Sequence, residues 1–264
     1  MNPATQQSEG STDSSTYSHL TALGVAVAIV TSLGSFYYTY RTSVQADENR
    51  THVARQEIVA AVLQMGDIHR KREDGYSNEI LLLARGAEKL INDSRGEDLE
   101  LDPATYRQIS EYVAFSTSDM ELATRMAAAA VDEAAPADIE VVRARRVLGS
   151  IAAQEGDLQA LRTEFAAALR AAKVATDDEP ALGSKVARQT RAFRLLAAFL
   201  GAKKAPNANL RAQFCAAANE WRDDLTAVHS SMHLSFVALQ VHRIAGPDST
   251  DADLSGQCPS VTDG

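Results

Sequence analysis

The chain has 264 residues, 26 basic and 35 acidic side chains, a formal net charge of −9, and a composition that is 45% hydrophobic but only 6% aromatic. Alanine occupies 46 positions, and so much of the strongest helix former beside so few aromatic rings excludes a β-sandwich or barrel and predicts helices. Two cysteines exclude a disulfide-dense scaffold and a cysteine-rich zinc site.

Residues 1–18 hold five serines and three threonines and almost nothing apolar, which reads as a disordered tail. Residues 19–41 read as a transmembrane helix. Leu20 to Tyr40 contains no charge, and at ~1.5 Å per residue it spans about 31 Å, the thickness of a hydrocarbon core. Tyr37, Tyr38 and Tyr40 cluster at one end and Tyr17 lies beyond the other, as suits rings that prefer the headgroup level. Arg41, Arg50 and Arg55 follow the span, whereas no Lys or Arg precedes it. The positive-inside rule then places the large C-terminal part in the cytoplasm. Gly24, Ala28 and Ser32 form a small-residue ridge suited to pairing two such helices in a homodimer.

Residues 42–75 read as a juxtamembrane helix or stalk, with Ile58, Ala61, Met65 and Ile68 on one face and Gly75 breaking it. A helical domain is expected over 76–245. Ser77 is placed to cap its first helix, which turns Ile80, Leu83, Ala84, Ala87 and Ile91 inward. Asp102-Pro103 starts the next, carrying Tyr106, Ile109, Tyr112 and Val113 to about Ser116. Ser118 and Glu121 form a capping box for a helix to Ala134. Further helices are expected at about 137–154, from Asp157 to about Val174 after Gly156, at 181–202 and at 207–222. The stretch Ala208 to Ala245, without Gly or Pro, divides into two helices near Asp223-Asp224. Residues 246–264 carry four aspartates and no basic residue and read as a disordered acidic tail.

Within the domain, Val141 to Lys173 places Leu148-Gly149 in a first helix, Gly156 at a turn, and Phe165 and Ala168 in a second helix. Small residues belong where two helices cross closely and large ones where they fill the groove against the next pair. With Phe165 seventeen residues after Leu148, this segment resembles a tetratricopeptide repeat. Arg145, Ala152, Leu161 and Lys173 depart from the family pattern. A weaker copy lies 38 residues upstream, with Ala123, Ala127, Ala130 and Pro136, and a third carries Leu210, Phe214 and Ala217. The resemblance implies an all-α domain of antiparallel helix pairs whose concave surface binds segments of partner proteins.

Between Pro180 and Asn219 there is no acidic residue, while Lys185, Arg188, Arg191, Arg194, Lys203, Lys204 and Arg211 give that stretch seven positive charges. Lys185, Arg188, Arg191 and Arg194 are therefore the candidate contacts for an acidic protein partner or an anionic membrane surface. Nucleic acid is not expected, because the chain as a whole is acidic and has no DNA-reading motif. His229 and His233 stand at a spacing that can hold a metal, but HSSMH lacks the glutamate of a hydrolase motif and no third ligand is obvious beyond Asp224, so a packing role beside Val228, Met232, Phe236 and Leu239 is expected and no metal. Cys215 reads as a buried thiol and Cys258 as a free tail thiol, which an oxidising compartment would allow to pair. Phosphate-cradling and nucleophile-elbow motifs are absent, so neither cofactor nor enzymatic role is expected. The reading is a membrane-anchored interaction or scaffold module. An extracytoplasmic sensing or cell-envelope domain is the alternative, and a metal-dependent hydrolase a distant third.

Overall fold

A computed structural model describes residues 49–71, 75–94, 99–221 and 258. Residues 1–53 form one unit, of which only 49–53 are described, and these are helical. The remainder, Ala54–Gly264, forms the second unit. The described residues contain eight helices and no strand, so the chain is all-α. The helices are α1 (49–71), α2 (Tyr76–Asp93), α3 (Pro103–Ser116), α4 (Met120–Glu133), α5 (Ile139–Glu155), α6 (Leu158–Ala175), α7 (Pro180–Lys204) and α8 (Ala208–Glu220). None of them is long and apolar enough to cross a membrane. The Leu20–Tyr40 span and its Gly24/Ala28/Ser32 ridge lie outside the described residues. So do both tails apart from Cys258, the helix expected after Asp223-Asp224, and the histidine pair His229/His233 with Asp224.

Short polar side chains start most of these helices. Asp102 accepts from the Ala104 N–H at 2.8 Å, with Pro103 in the first position where no donor is needed. Asp138, Asp157 and Asn207 do the same for α5, α6 and α8. Gly156 ends α5 at φ 83°, a left-handed conformation that costs glycine nothing.

Two expected caps fall elsewhere. The Asp119 N–H donates to Thr117 Oγ1, and this turn makes Asp119 the cap of α4, accepting from the Leu122 N–H at 3.1 Å, while Ser118 stays exposed. Before α2, Gly75 turns the chain at φ 82° and its carbonyl accepts from Asn78 and Glu79, so Ser77 lies inside the helix and caps nothing.

Connections of two or three residues fold α3 on α4, α5 on α6 and α7 on α8 as antiparallel pairs. The first helices of the pairs also pack together, α3 on α5 and α5 on α7, forming one layer. The pairs close by complementary sizes. A Cβ on Gly149 would come 2.6 Å from the Phe165 ring, so only glycine lets α5 approach the fully buried phenyl group of α6. Gly201 and Phe214 repeat this relation between α7 and α8. Between α3 and α4 the small partner is on the second helix: Ala123 and Ala127 are fully buried, and the Ser110 hydroxyl donates to the Ala123 carbonyl at 2.7 Å.

One apolar cluster joins Ile58, Met65, Ile80, Ile109, Leu122 and Ile151, and another joins Leu161, Phe165, Leu195, Phe214 and Trp221. Each fully buried large side chain in them contributes ~1.5–3 kcal/mol. Cys258 belongs to the second cluster. It is fully buried and bonded to Cys215 of α8, with Cα atoms 5.0 Å apart. The expectation of a free tail thiol and an unpaired helix thiol is thereby corrected. The acidic composition of the tail, a statement about water, conceals one apolar group that gains from burial. Closing a loop with a sequence separation of 43 restrains the unfolded chain by about 4 kcal/mol on an entropic account.

Candidate functional site

The layer formed by α3, α5 and α7 holds a cavity of about 490 Å³. Arg107, Glu111 and Phe115 reach it from α3, Arg143, Arg146 and Val147 from α5, and Leu182, Lys185, Val186 and Phe193 from α7. Four basic side chains thus face it against one carboxylate.

The charges are arranged unequally. Arg107 Nε donates to Glu140 Oε2 at 2.5 Å and its Nη1 lies 2.7 Å from Glu111 Oε2. Arg143 shares the other oxygen of Glu140. Burial pulls the Arg107 guanidinium down, but the Glu111 and Glu140 carboxylates outweigh it and hold the group above its ordinary range. Burial pushes the Glu111 carboxyl up, against the pull of Arg107.

Arg146 is different. Its Nε donates to Thr190 Oγ1 at 2.9 Å and its Nη2 to the Val186 carbonyl at 3.0 Å, both neutral acceptors. Its guanidinium carbon lies 5.4 Å from the Phe193 ring centroid. The residue is 8% exposed, and no carboxylate among the described residues pairs with it. Burial, followed by the charge of Arg143, lowers its pKa to about 9. The charge of Glu111 acts in the opposite direction, but that carboxylate is bonded to Arg107, and a desolvated cation with no acid of its own weakens a fold unless something else supplies the anion.

The four candidate contacts on α7 separate. Lys185 stands exposed at the cavity. Arg188 and Arg191 are exposed on the following turns. Arg194 is half-buried, with its guanidinium 4.5 Å from the Trp221 ring centroid, a packing contact outside the cavity lining. Arg162 lies 5.4 Å from the same ring and pairs with Glu220 at 2.7 Å. Lys204 donates to Gln154 Oε1 at 2.6 Å.

Arg107, Glu111, Arg143 and Arg146 were not singled out in the sequence. They lie on two helices whose charged residues read as solvated faces. The available signal was local: Arg143, Arg145 and Arg146 sit between Val141-Val142 and Val147-Leu148, too many arginines for a helix apolar on most sides. Only Arg145 uses its charge on a neighbouring helix of its own pair, meeting Glu164 at 2.8 Å.

The chain matches no family model, no curated protein and no solved structure.

Proposed function

We propose that this chain is a membrane-anchored, non-enzymatic interaction module. Leu20–Tyr40 is its anchor, and a domain resembling tetratricopeptide repeats docks an acidic segment of a partner protein on the α3–α5–α7 layer. The observation that carries this reading is Lys185, exposed at the mouth of a cavity walled by further basic groups, with Arg188 and Arg191 exposed on the next turns of α7. Such a surface steers an acidic partner by long-range attraction, and the steering weakens with salt because exposed charges are screened over ~8–10 Å. Arg194 is left out of the surface because it is engaged with Trp221.

The test is cross-linking of the full-length chain in its native membrane, comparing the parent with a variant in which Lys185, Arg188 and Arg191 are all replaced by Glu. Loss of a captured protein, with helicity retained in circular dichroism, supports the reading. Unchanged capture at both low and high salt refutes it.

A second reading concerns the side of the membrane. The arginines after the span favour a cytoplasmic domain, but the Cys215–Cys258 bond favours the extracytoplasmic alternative, because such bonds persist in oxidising compartments. A sensing or cell-envelope role then replaces cytoplasmic scaffolding. On that reading the protein taken from cells under acid quench migrates faster on a non-reducing gel than after reduction. If both cysteines react at once with an alkylating reagent under denaturing conditions, the domain belongs inside.

A further inference from the structure

We propose that the cavity between α3, α5 and α7 is a binding site for an organic carboxylate bearing a short apolar chain, with the Arg146 guanidinium as the seat of the anion. This goes beyond the docking of a partner, since it requires neither Arg188 nor Arg191 and no second protein.

Glu111 in the cavity wall is paired with Arg107, and Glu140 behind it with both Arg107 and Arg143. Arg146 is left with a hydroxyl and a carbonyl. These two bonds occupy Nε and Nη2 and fix the plane of the guanidinium, while Nη1 makes no hydrogen bond among the described residues. A side chain held in this way is pre-organised, so an incoming anion does not have to order it. Lys185 at the mouth adds a second positive charge along the approach.

The remaining lining describes the rest of the ligand. Ile139, Leu182, Val186 and Phe193 supply an apolar wall beside the guanidinium. A volume of about 490 Å³ lies within the ~300–1,000 Å³ range of small-ligand pockets. The apolar wall beside Arg146 suits an anion carried on a hydrocarbon body better than a bare inorganic anion. A carboxylate on an aliphatic or aromatic body satisfies all three demands, and the exchange of water for a charge-assisted hydrogen bond in this sheltered site favours it. That chemistry is available from a free organic acid or from an acidic side chain next to an apolar one in a peptide.

The experiment titrates the full-length protein in detergent with three probes: hexanoate, its neutral analogue hexanamide, and a blocked Phe-Asp dipeptide. Saturation-transfer NMR and the shift in melting temperature are the readouts. Binding of hexanoate identifies a free acid, and binding of the dipeptide alone identifies a peptide side chain. Either result supports the proposal provided that hexanamide binds at least tenfold more weakly and that Arg146→Met removes the signal. Should that variant fail to fold, Leu182→Glu at the exposed mouth places a repelling charge there without touching the core, and is expected to weaken binding at least fivefold. Absence of binding by both acids, equal binding of hexanamide, or undiminished binding by the variants overturns the proposal. Because no protein partner enters this titration, its outcome is separate from that of the cross-linking comparison.

Discussion

Toward α6, helix α5 presents Gly149, Ala152 and Ala153, and Phe165 and Leu161 fill the space completely. Toward α3 and α7 the same helix presents Arg143, Arg146 and Ser150, and the space stays open. Arg146 and Ser150 are as buried as the apolar side, and only Arg143 is half exposed, so solvent exposure alone does not explain the difference. The apolar side follows the rule of close packing, where each methylene is felt. The polar side contains one network that satisfies itself, Arg107–Glu111–Glu140–Arg143, and one cation that does not. Charges that neutralise one another thus sit beside one, on Arg146, that is bonded only to neutral acceptors.

The largest expected effect lies on the apolar side. Phe165→Ala should cost about 3–5 kcal/mol, because the phenyl group is fully buried and the adjoining glycine cannot collapse into the void. Chemical denaturation of the domain with its disulfide intact measures this. A cost below about 1 kcal/mol would mean that α5 and α6 do not close on that ring.

Next comes the satisfied network. Glu140→Gln removes the charge shared by Arg107 and Arg143, and should cost about 2–3 kcal/mol as their buried hydrogen bonds weaken. Arg143 is half exposed and contributes the smaller part. If stability is unchanged, the network is no more structural than Arg146, and the contrast within the polar side disappears.

Gly149→Ala sharpens the geometry. The added methyl group would press on the Phe165 ring, and overpacking of this kind costs about 1–3 kcal/mol. Combining it with Phe165→Leu should recover part of the loss, giving a coupling energy that simple additivity does not. Additive effects would place the two residues apart.

Much of the fold was legible because its determinants are local. Asp102-Pro103, Gly156-Asp157 and the alanine-rich periodicity act within one turn of helix, and the Leu148-Gly149 to Phe165 spacing encodes a single crossing. Ser77 and Ser118 misled because serine and threonine caps compete with neighbours: Gly75 and Asp119 use backbone geometry that composition does not report. The candidate site was legible only at Lys185. Whether Arg188 faces water and Arg194 faces Trp221 depends on which face of α7 is covered, and the cavity needs both α3 and α5, helices separated in the chain by the whole of α4. The Cys215–Cys258 bond was open for the same reason, since a separation of 43 residues carries no sign of contact.

The central claim, that the α3–α5–α7 side of the domain keeps an unbalanced cation for a ligand and not for the fold, is tested most directly by the ligand-free stability of Arg146→Met. Thr190 still donates its hydroxyl to the Val186 carbonyl at 2.8 Å, so no buried donor is orphaned by the change. A buried ion replaced by an apolar side chain of similar volume is often neutral or stabilising, by about 1–4 kcal/mol. The sign with pH follows from a folded-state pKa of about 9 against an ordinary 12.5. Below about 9 the parent carries the full cost of the desolvated charge, and as pH rises from there the folded state sheds the proton first, so the parent gains on the variant. Equilibrium denaturation at pH 7 should therefore show the variant equal to or more stable than the parent, with the difference shrinking above pH 9. A clear loss of stability at pH 7 would make Arg146 a structural residue and contradict the account.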